Sequence, residues 1–551
     1  MNVATMYVDT TRTERNGETY VRHLLRTSYR ENRKVKHKTI ANISECSDAE
    51  IAAIKLALQH KDKLGLLASF DDIEATSGKR VGAAWVLKTI AERVGVVKAL
   101  GLDREAKLAL FQIIARSINQ GSRLSAVRLA QSHAICEILK IDKLDEDDLY
   151  GNLKWLADHQ ERIEKKLFAL RFPNTTPTLF LYDVTSSYFE GEHNELAQYG
   201  YNRDRKKGKL QIVVGLLAGP DGLPVAVRVF EGNTNDTQTV SEQIRILADS
   251  FGIKEVTLVG DRGMIKRPQI EALPDGYRYI TAIAKPEIRR MLTEGIMQME
   301  LFSDRVCEIE TEGVRYVLRR NPIRAAQIAE SRESKLISIL KFASKQTKYL
   351  AEHPKANAQT ALSRIAAKIA RLKANAWLSA TEIQRTFIIV KDDAALLDAA
   401  LLDGCYAIKS DVSKNIADAQ TLHDRYCDLE NIERSFRTMK TAHLKLRPIF
   451  VLKKKSTKGH VFVVMLALLL QRELERCWSA LDISVAEGID ELGAIQSQEL
   501  HLSGVKITKI PKPNKLGAKL LEKASVSLPS VVPHFKTSVH TKKKLSSERY
   551  I

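Results

Sequence analysis

The strand-like run Thr178-Leu179-Phe180-Leu181-Tyr182-Asp183-Val184 carries an acidic residue among its apolar ones. An ionised Asp in such surroundings is destabilising unless a cation or strong hydrogen bonds compensate it, so the fold must bring such a partner to a buried strand. A second carboxylate, Asp261, closes the apolar run of VTLVGD, which also reads as a buried strand. A third, Glu433, falls within YCDLENIERSFRTMK. There Leu429, Ile432, Phe436 and Met439 share one helical stripe, which predicts packing on a sheet. Glu433, Arg437 and Lys440 follow at i, i+4 and i+7 on an adjacent face. Three carboxylates reached in this way point to a metal site. Magnesium is a hard ion that takes oxygen ligands, and two or three carboxylates can hold a pair of ions with room left for phosphate. Two ions would clamp the attacking and leaving oxygens of a phosphodiester, the chemistry of a nuclease or a strand transferase.

Composition points to the same class of substrate. The 551 residues contain 86 Lys and Arg against 67 Asp and Glu, a formal charge of +19, which favours a polyanionic partner without distinguishing DNA from RNA or a membrane surface. The length predicts roughly three or four domains. The six cysteines (Cys46, Cys136, Cys307, Cys405, Cys427 and Cys477) form no CxxC pair, so neither a zinc ribbon nor a disulfide framework is expected, and a reducing cytoplasm fits best. The amino-terminal MNVATMYVDTTRTERNG lacks the apolar core of a signal peptide. The longest apolar run, Val461 to Leu470, is too short to span a bilayer, and no membrane partner is expected.

Along the chain, residues 19–43 read as two strands around a polar bend, with polar positions that are unusually basic, among them Arg22, Arg26, Arg30, Arg33, Lys34, Lys36 and Lys38. That pattern fits either a solvated edge hairpin or phosphate contact at a DNA end. Residues 82–170 turn helical, with Gly101 and Gly121 as helix stops and Ser122 or Ser125 as the next start. From 177 to 285 the chain switches to strands, with a turn at Gly219-Pro220-Asp221-Gly222 and a helix near TVSEQIRILADSFG, for which Thr239 and Glu242 predict a capping box. Three strands, a helix and a further strand match the ribonuclease H order, with Asp183 on the first strand and Asp261 at the end of the fourth. An insertion follows, in which Leu362, Ile365, Ile369 and Leu372 mark a packed helix face and Pro354 divides two helices. Asp236 reads as a turn or helix-start residue in preference to a metal ligand, Glu190, Glu192 and Glu195 as loop carboxylates, and Trp377 as packing at a helix end in preference to stacking on a flipped base. The basic run around Asp204 fits DNA contact and a solvated loop equally.

Taken together, YDVTSSYFEG, GDRGM, the Glu433 segment, HLKLRPIF and GHVFVVMLALLL resemble the bacterial insertion-sequence transposases that use an Asp-Asp-Glu triad, in particular the group with a Tyr-Arg-Glu-Lys signature and a large insertion before the Glu. Tyr426, Glu433 and Lys440 stand at the Tyr, Glu and Lys positions of that signature, whereas Leu429 stands where the pattern has Arg. Leu429 belongs to the apolar stripe, so the Arg contact does not carry over, and Arg437 is taken as a substitute for it. The resemblance implies an α/β chain with a ribonuclease H-like catalytic core interrupted by a largely helical insertion. It implies Asp183, Asp261 and Glu433 as catalytic metal ligands for two Mg2+ ions, with Mn2+ able to substitute. Expected DNA contacts are Tyr426, Arg437, Lys440, Arg30, Arg33, Lys34 and Lys36.

The implied organisation is a basic hairpin region at 1–76 that binds DNA ends, a helical DNA-binding or connecting domain at 77–170, the two parts of the core at 171–285 and 405–480, the insertion at 286–404 and a basic segment at 481–551. Double-stranded DNA with terminal inverted repeats and a target DNA are the implied partners, engaged by a homodimer in the cytoplasm, on the nucleoid. Two competing readings are a non-catalytic DNA-binding regulator derived from a transposase and a ribonuclease H-like nuclease.

Overall fold

The structure, a computed structural model, describes residues 5–541 apart from 16–17, 32–33, 62–72, 175, 205, 442–443, 448–450 and 503–504. Its contacts divide the chain into two compact units, one made of residues 1–85, 131–138 and 488–536, the other of residues 86–130, 139–487 and 537–551. Among the described residues no helix is long and apolar enough to cross a membrane.

The first unit opens with a three-stranded antiparallel sheet, Thr5–Arg15, Glu18–Glu31 and Lys34–Asn42, followed by a helix, Asp48–Gln59, capped by Ser47 and Glu50. The expected hairpin is therefore the second and third strands of a larger sheet, and its bend, with Arg33, lies outside the described residues. Tyr29 pairs with Lys36 and Arg30 with Val35, so Lys34, Lys36 and Lys38 share one face while Arg22, Arg26 and Arg30 share the other. Arg26 forms an ion pair with Asp9. A second antiparallel sheet joins Ile73–Arg80 to Gln496–Leu502 and Val505–Lys509.

The second unit is built on an eight-stranded mixed sheet. In chain order its strands are β1 (Leu179–Tyr188), β2 (Gln211–Ala218), β3 (Pro224–Glu231), β4 (Val256–Gly260), β5 (Tyr277–Ala282), β6 (Cys307–Thr311), β7 (Val314–Arg320) and β8 (Cys405–Ser410). The order across the sheet is β6-β7-β8-β5-β4-β1-β2-β3. Within it, β3-β2-β1-β4-β5, with β1, β2 and β3 antiparallel and β4 and β5 parallel to β1, is the ribonuclease H-like topology. The β-like pieces expected at the start of the insertion are β6 and β7, which extend this same sheet through β8. Every residue of β2 is buried, because β1 and β3 flank it and both its faces are covered.

One face of β1 presents Phe180, Tyr182 and Val184 to a core shared with Val240, Leu247, Leu258 and Tyr277. Helix α1 (Asp236–Arg245) closes that side. Its cap is Asn235 with Gln238, so the expected box at Thr239 and Glu242 is corrected: the helix starts earlier and Thr239 is wholly buried inside it. After β8 come α2 (Ala419–Cys427), α3 (Leu429–Lys440) and α4 (Lys454–Trp478). The Glu433 segment is thus two helices meeting at Asp428, and Tyr426 belongs to the first. Upstream, Gly101, at φ +112, ends the short helix Val96–Leu100 as expected. Gly121 is not a helix stop: Arg104–Ile118 ends at Asn119, whose side chain takes up the Gly121 N–H at 2.9 Å.

Helices Pro322–Glu352 and Ala358–Arg371, with the hairpin Leu378–Ile383 and Thr386–Lys391, enclose their own core around Ile339, Ile365, Ile369 and Trp377. Pro354 falls between the two helices, and Trp377 packs, as expected.

Helix α4 is buried along most of its length and packs on the helix Glu146–Arg171. Gly459 permits this, since a Cβ there would lie 2.0 Å from the Leu153 carbonyl oxygen. In Gly459→Ala the gain in helix propensity, about 1 kcal/mol, opposes a backbone overlap that only a helix shift relieves. We expect a net destabilisation of about 1–3 kcal/mol, read as a lower urea midpoint. An unchanged midpoint would mean that the two helices part without strain.

Candidate functional site

The parallel register of β1 and β4 pairs Tyr182 with Gly260, which sets Asp183 beside Asp261 at the next step along both strands. Each carboxylate accepts a hydrogen bond from the amide that follows it, Val184 N–H at 2.8 Å and Arg262 N–H at 2.8 Å. Helix α3 packs against β1 through the face bearing Ile432, Phe436 and Met439, and leaves Glu433 and Arg437 exposed. Burial pushes the Asp183 carboxyl up to about 7; the Val184 amide and Arg203 oppose the rise, and the charges of Asp261 and Glu433 add to it. The charges of the other two expected carboxylates therefore reach Asp183. The Tyr426 hydroxyl faces Asp261, and burial followed by that negative charge raises its pKa.

Two further ion pairs surround this group. Arg203 grips both oxygens of Asp236, the first residue of α1, and its N–H donates to Ser186 Oγ at 2.8 Å. A Cβ at Gly263 would lie 3.7 Å from Asp236 Oδ2 and 3.9 Å from Asp261 Oδ2, so the glycine of GDRGM keeps open a space that both carboxylates border. Arg203 and Asp236 thus lie beside the carboxylates, Asp236 as the helix-start residue that the sequence favours over a metal ligand. Lys440 pairs with Asp204 at 2.8 Å, and Asp204 also accepts the Tyr188 N–H at 3.3 Å. Asp204 is thus turned inward, and of the basic residues around it Arg203 is half-buried while Lys206, Lys207 and Lys209 are exposed. Glu190 pairs with Lys209 and Arg447, and Glu195 with Lys453.

Among the described residues no three or more His, Cys, Asp or Glu side chains are close enough together to hold a metal ion as they stand. The donor set consists of carboxylate oxygens, the hard ligands a divalent ion takes; the negative charges of Asp261 and Glu433 oppose ionisation of Asp183, which a cation would relieve, and Gly263 leaves space beside Asp236 and Asp261. In the first unit Arg30, Lys34 and Lys36 are exposed on the amino-terminal sheet.

In a chelating buffer Asp183 stays protonated to about pH 7 in the folded chain but ionises near 3.8 when unfolded. Between those values the folded state holds the extra proton, so stability falls as pH rises. Asp183→Asn removes this titration. We expect the variant to exceed the wild type in stability at pH 8, by up to ~4 kcal/mol, and to converge with it near pH 4. Urea unfolding at the two pH values checks this, and a wild type as stable as the variant at pH 8 would place the carboxylate in a solvated setting.

Residues 8–66 match the amino-terminal domain of IS1634 family transposases, and residues 174–470, more than half of the chain, match the transposase DDE domain. No curated protein matches the chain. Six solved chains match. One is described as the cryo-EM structure of a piggyBac transposase synaptic complex with hairpin DNA; it shares 8% identity, with 75% of each chain covered and a TM-score of 0.36, a likeness too low for anything to be carried over from it. By its family matches the chain belongs to the DDE transposases of bacterial insertion sequences.

Proposed function

We propose that this DDE transposase binds the terminal inverted repeats of its own insertion sequence as a homodimer and catalyses strand cleavage and strand transfer at the element ends, on the nucleoid. The supporting observation is the parallel pairing of β1 with β4, which sets Asp183 beside Asp261 under the helix that carries Glu433. In this reading the three carboxylates are the catalytic residues and hold two divalent ions, Mg2+ or in its place Mn2+. When bound, the ions supply Lewis-acid charge to the reacting phosphate.

Tyr426 orients Asp261 through its hydroxyl, and Arg203 holds Asp236 at the rim of the Gly263 space. Arg437 meets the DNA backbone from the exposed face of α3. Lys440 does so after exchanging Asp204 for phosphate. Hydrolysis breaks one P–O bond at the element end and frees a 3′-hydroxyl, which displaces a 3′ oxygen of target DNA in line. Each step replaces one P–O bond by another, so neither an energy source nor a covalent enzyme intermediate is required. End recognition falls to residues 1–76, with Arg30, Arg33, Lys34 and Lys36 on phosphates, and to the helices of 77–170. The core is formed by 171–285 and 405–480 around the insertion 286–404, and the basic segment 481–551 adds sequence-independent affinity.

The test uses purified protein with labelled DNA spanning both flanks of its gene, with magnesium or with chelator. Asp183→Asn, Asp261→Asn and Glu433→Gln are each expected to lower cleavage by at least ~10³-fold while leaving end binding within a few-fold, because each removes a ligand and little volume. Binding without cleavage by the wild type would favour a regulator, and cleavage of RNA or hybrids without joining would favour a nuclease. Separately, Lys440→Ala should weaken DNA binding and reduce the slope of log K against log salt by about 1, as loss of one phosphate contact does. An unchanged slope would leave that lysine with Asp204.

A further inference from the structure

Beyond the end of α3, in the unit that holds Asp183, lies a basic cluster to which the DDE reading gives no role. Arg116, on the helix Arg104–Ile118, and Arg123, at the start of the helix Arg123–Ser132, are each only 5% exposed. Among the described residues neither guanidinium has an ion-pair partner. Arg116 Nη1 donates to the Gln120 carbonyl at 2.9 Å and Arg123 Nη2 to His460 Nδ1 at 3.1 Å, while the Nε of each is buried without a partner. His460 Nε2 donates to the Leu446 carbonyl at 3.1 Å. The imidazole is therefore neutral, its acceptor nitrogen turned to Arg123; burial first, then the two arginines, hold its pKa well below 6.5. Ser122, Tyr150 and Val451 are among the other lining residues, with half-buried Arg447 and, at the mouth, exposed Lys445.

Buried cations without a counter-charge are unfavourable, and these two also repel. Burial pulls Arg116 down to about 10, and burial with the Arg116 charge pulls Arg123 down to about 9. The missing compensation is negative charge. The cavity offers about 20 Å³ to the centre of a water-sized group, enough for an oxygen or two of an oxyanion and too little for a base or sugar. Guanidinium forks match the oxygens of phosphate, and exposed Lys445 at the mouth suits the remainder of a phosphate group held outside.

We propose that the cavity between Arg116, Arg123 and His460 is a phosphate-binding site, filled by a nucleic-acid backbone phosphate or by free phosphate. Its position ties it to the strand that carries Asp183: Arg447 lies over the Tyr188 ring at the end of β1, 4.0 Å from its centroid, and pairs with Glu190 at 2.9 Å. Leu446 N–H donates to Met439 of α3 at 2.7 Å.

The test is thermal unfolding of the full chain in inorganic phosphate against chloride at matched ionic strength, followed by duplex binding over a salt series. Phosphate should raise the wild-type Tm in a saturable way. In Arg123→Met the half-saturating phosphate concentration should rise at least ~tenfold whichever way the Tm in chloride moves, since there a relieved repulsion and the lost bond to His460 Nδ1 oppose each other. Lys445→Ala, an exposed change at the mouth, should raise that concentration several-fold without altering the Tm in chloride, and it carries the test if Arg123→Met fails to fold. A salt slope lower by about 1 in the variants assigns the phosphate to a nucleic-acid backbone, and an unchanged slope with the phosphate response lost assigns it to free phosphate. A wild-type Tm equal in the two salts, or a phosphate response equal in wild type and variants, overturns the proposal. None of these readouts depends on DNA cleavage.

Discussion

The organisation of the second unit rests on the pairing of two parallel strands, β1 and β4. A hydrogen-bonded register cannot drift, because a slip of one residue would turn Asp183 into the Tyr182 core and expose Tyr182 in its place. The same pairing that buries Phe180, Tyr182 and Leu258 therefore also fixes two carboxylates side by side. Apolar packing stabilises the strands, and electrostatic opposition is the charge it carries. Helix α3 adds Glu433 from the solvent side, so this carboxylate is placed by the burial of its neighbours Ile432 and Phe436 rather than by its own contacts.

The strands that carry Asp183 and Asp261 were legible because each is an apolar run that stops at a carboxylate or a turn, and β2 and β3 because Gly219 to Gly222 punctuates them. The alternation within β1 assigns Asp183 to the face opposite Tyr182 without any structure. Other features left no local mark. The strand Thr5–Arg15 is exposed along most of its length, so no apolar periodicity announces it. Arg203 and Asp236 sit 33 residues apart in sequence, and neither has a patterned neighbour that would bring them together. Arg116 is buried beside Gln112 and Ser117 on its helix and Arg123 opens the next one, and in both settings a cation reads as the edge of a solvated face. Glu433 was readable as a position on a helix, but the break at Asp428 was not, since Asp428 keeps helical angles and only the hydrogen-bond ladder changes.

Basic residues in this chain serve two distinct purposes. Some are neutralised internally, as Arg203 is by Asp236 and Lys440 by Asp204, and these hold loops in place. Others are exposed on the amino-terminal sheet or buried without a counter-charge. The formal charge of +19 therefore overstates what is free to meet a polyanion at any one surface. Where an internal pair is exchanged for an external phosphate, the displaced carboxylate stays close by, which makes such contacts weaker and more readily reversed than a free cation would give.

The amino-terminal sheet carries Lys34, Lys36 and Lys38 on one face and Arg22, Arg26 and Arg30 on the other. A sheet laid flat on a cylinder of charge would leave one of these rows idle. With a basic row on each face and Arg26 already meeting Asp9, no single flat contact engages all of these side chains at once, so the sheet's charge is divided between two sides instead of gathered on one.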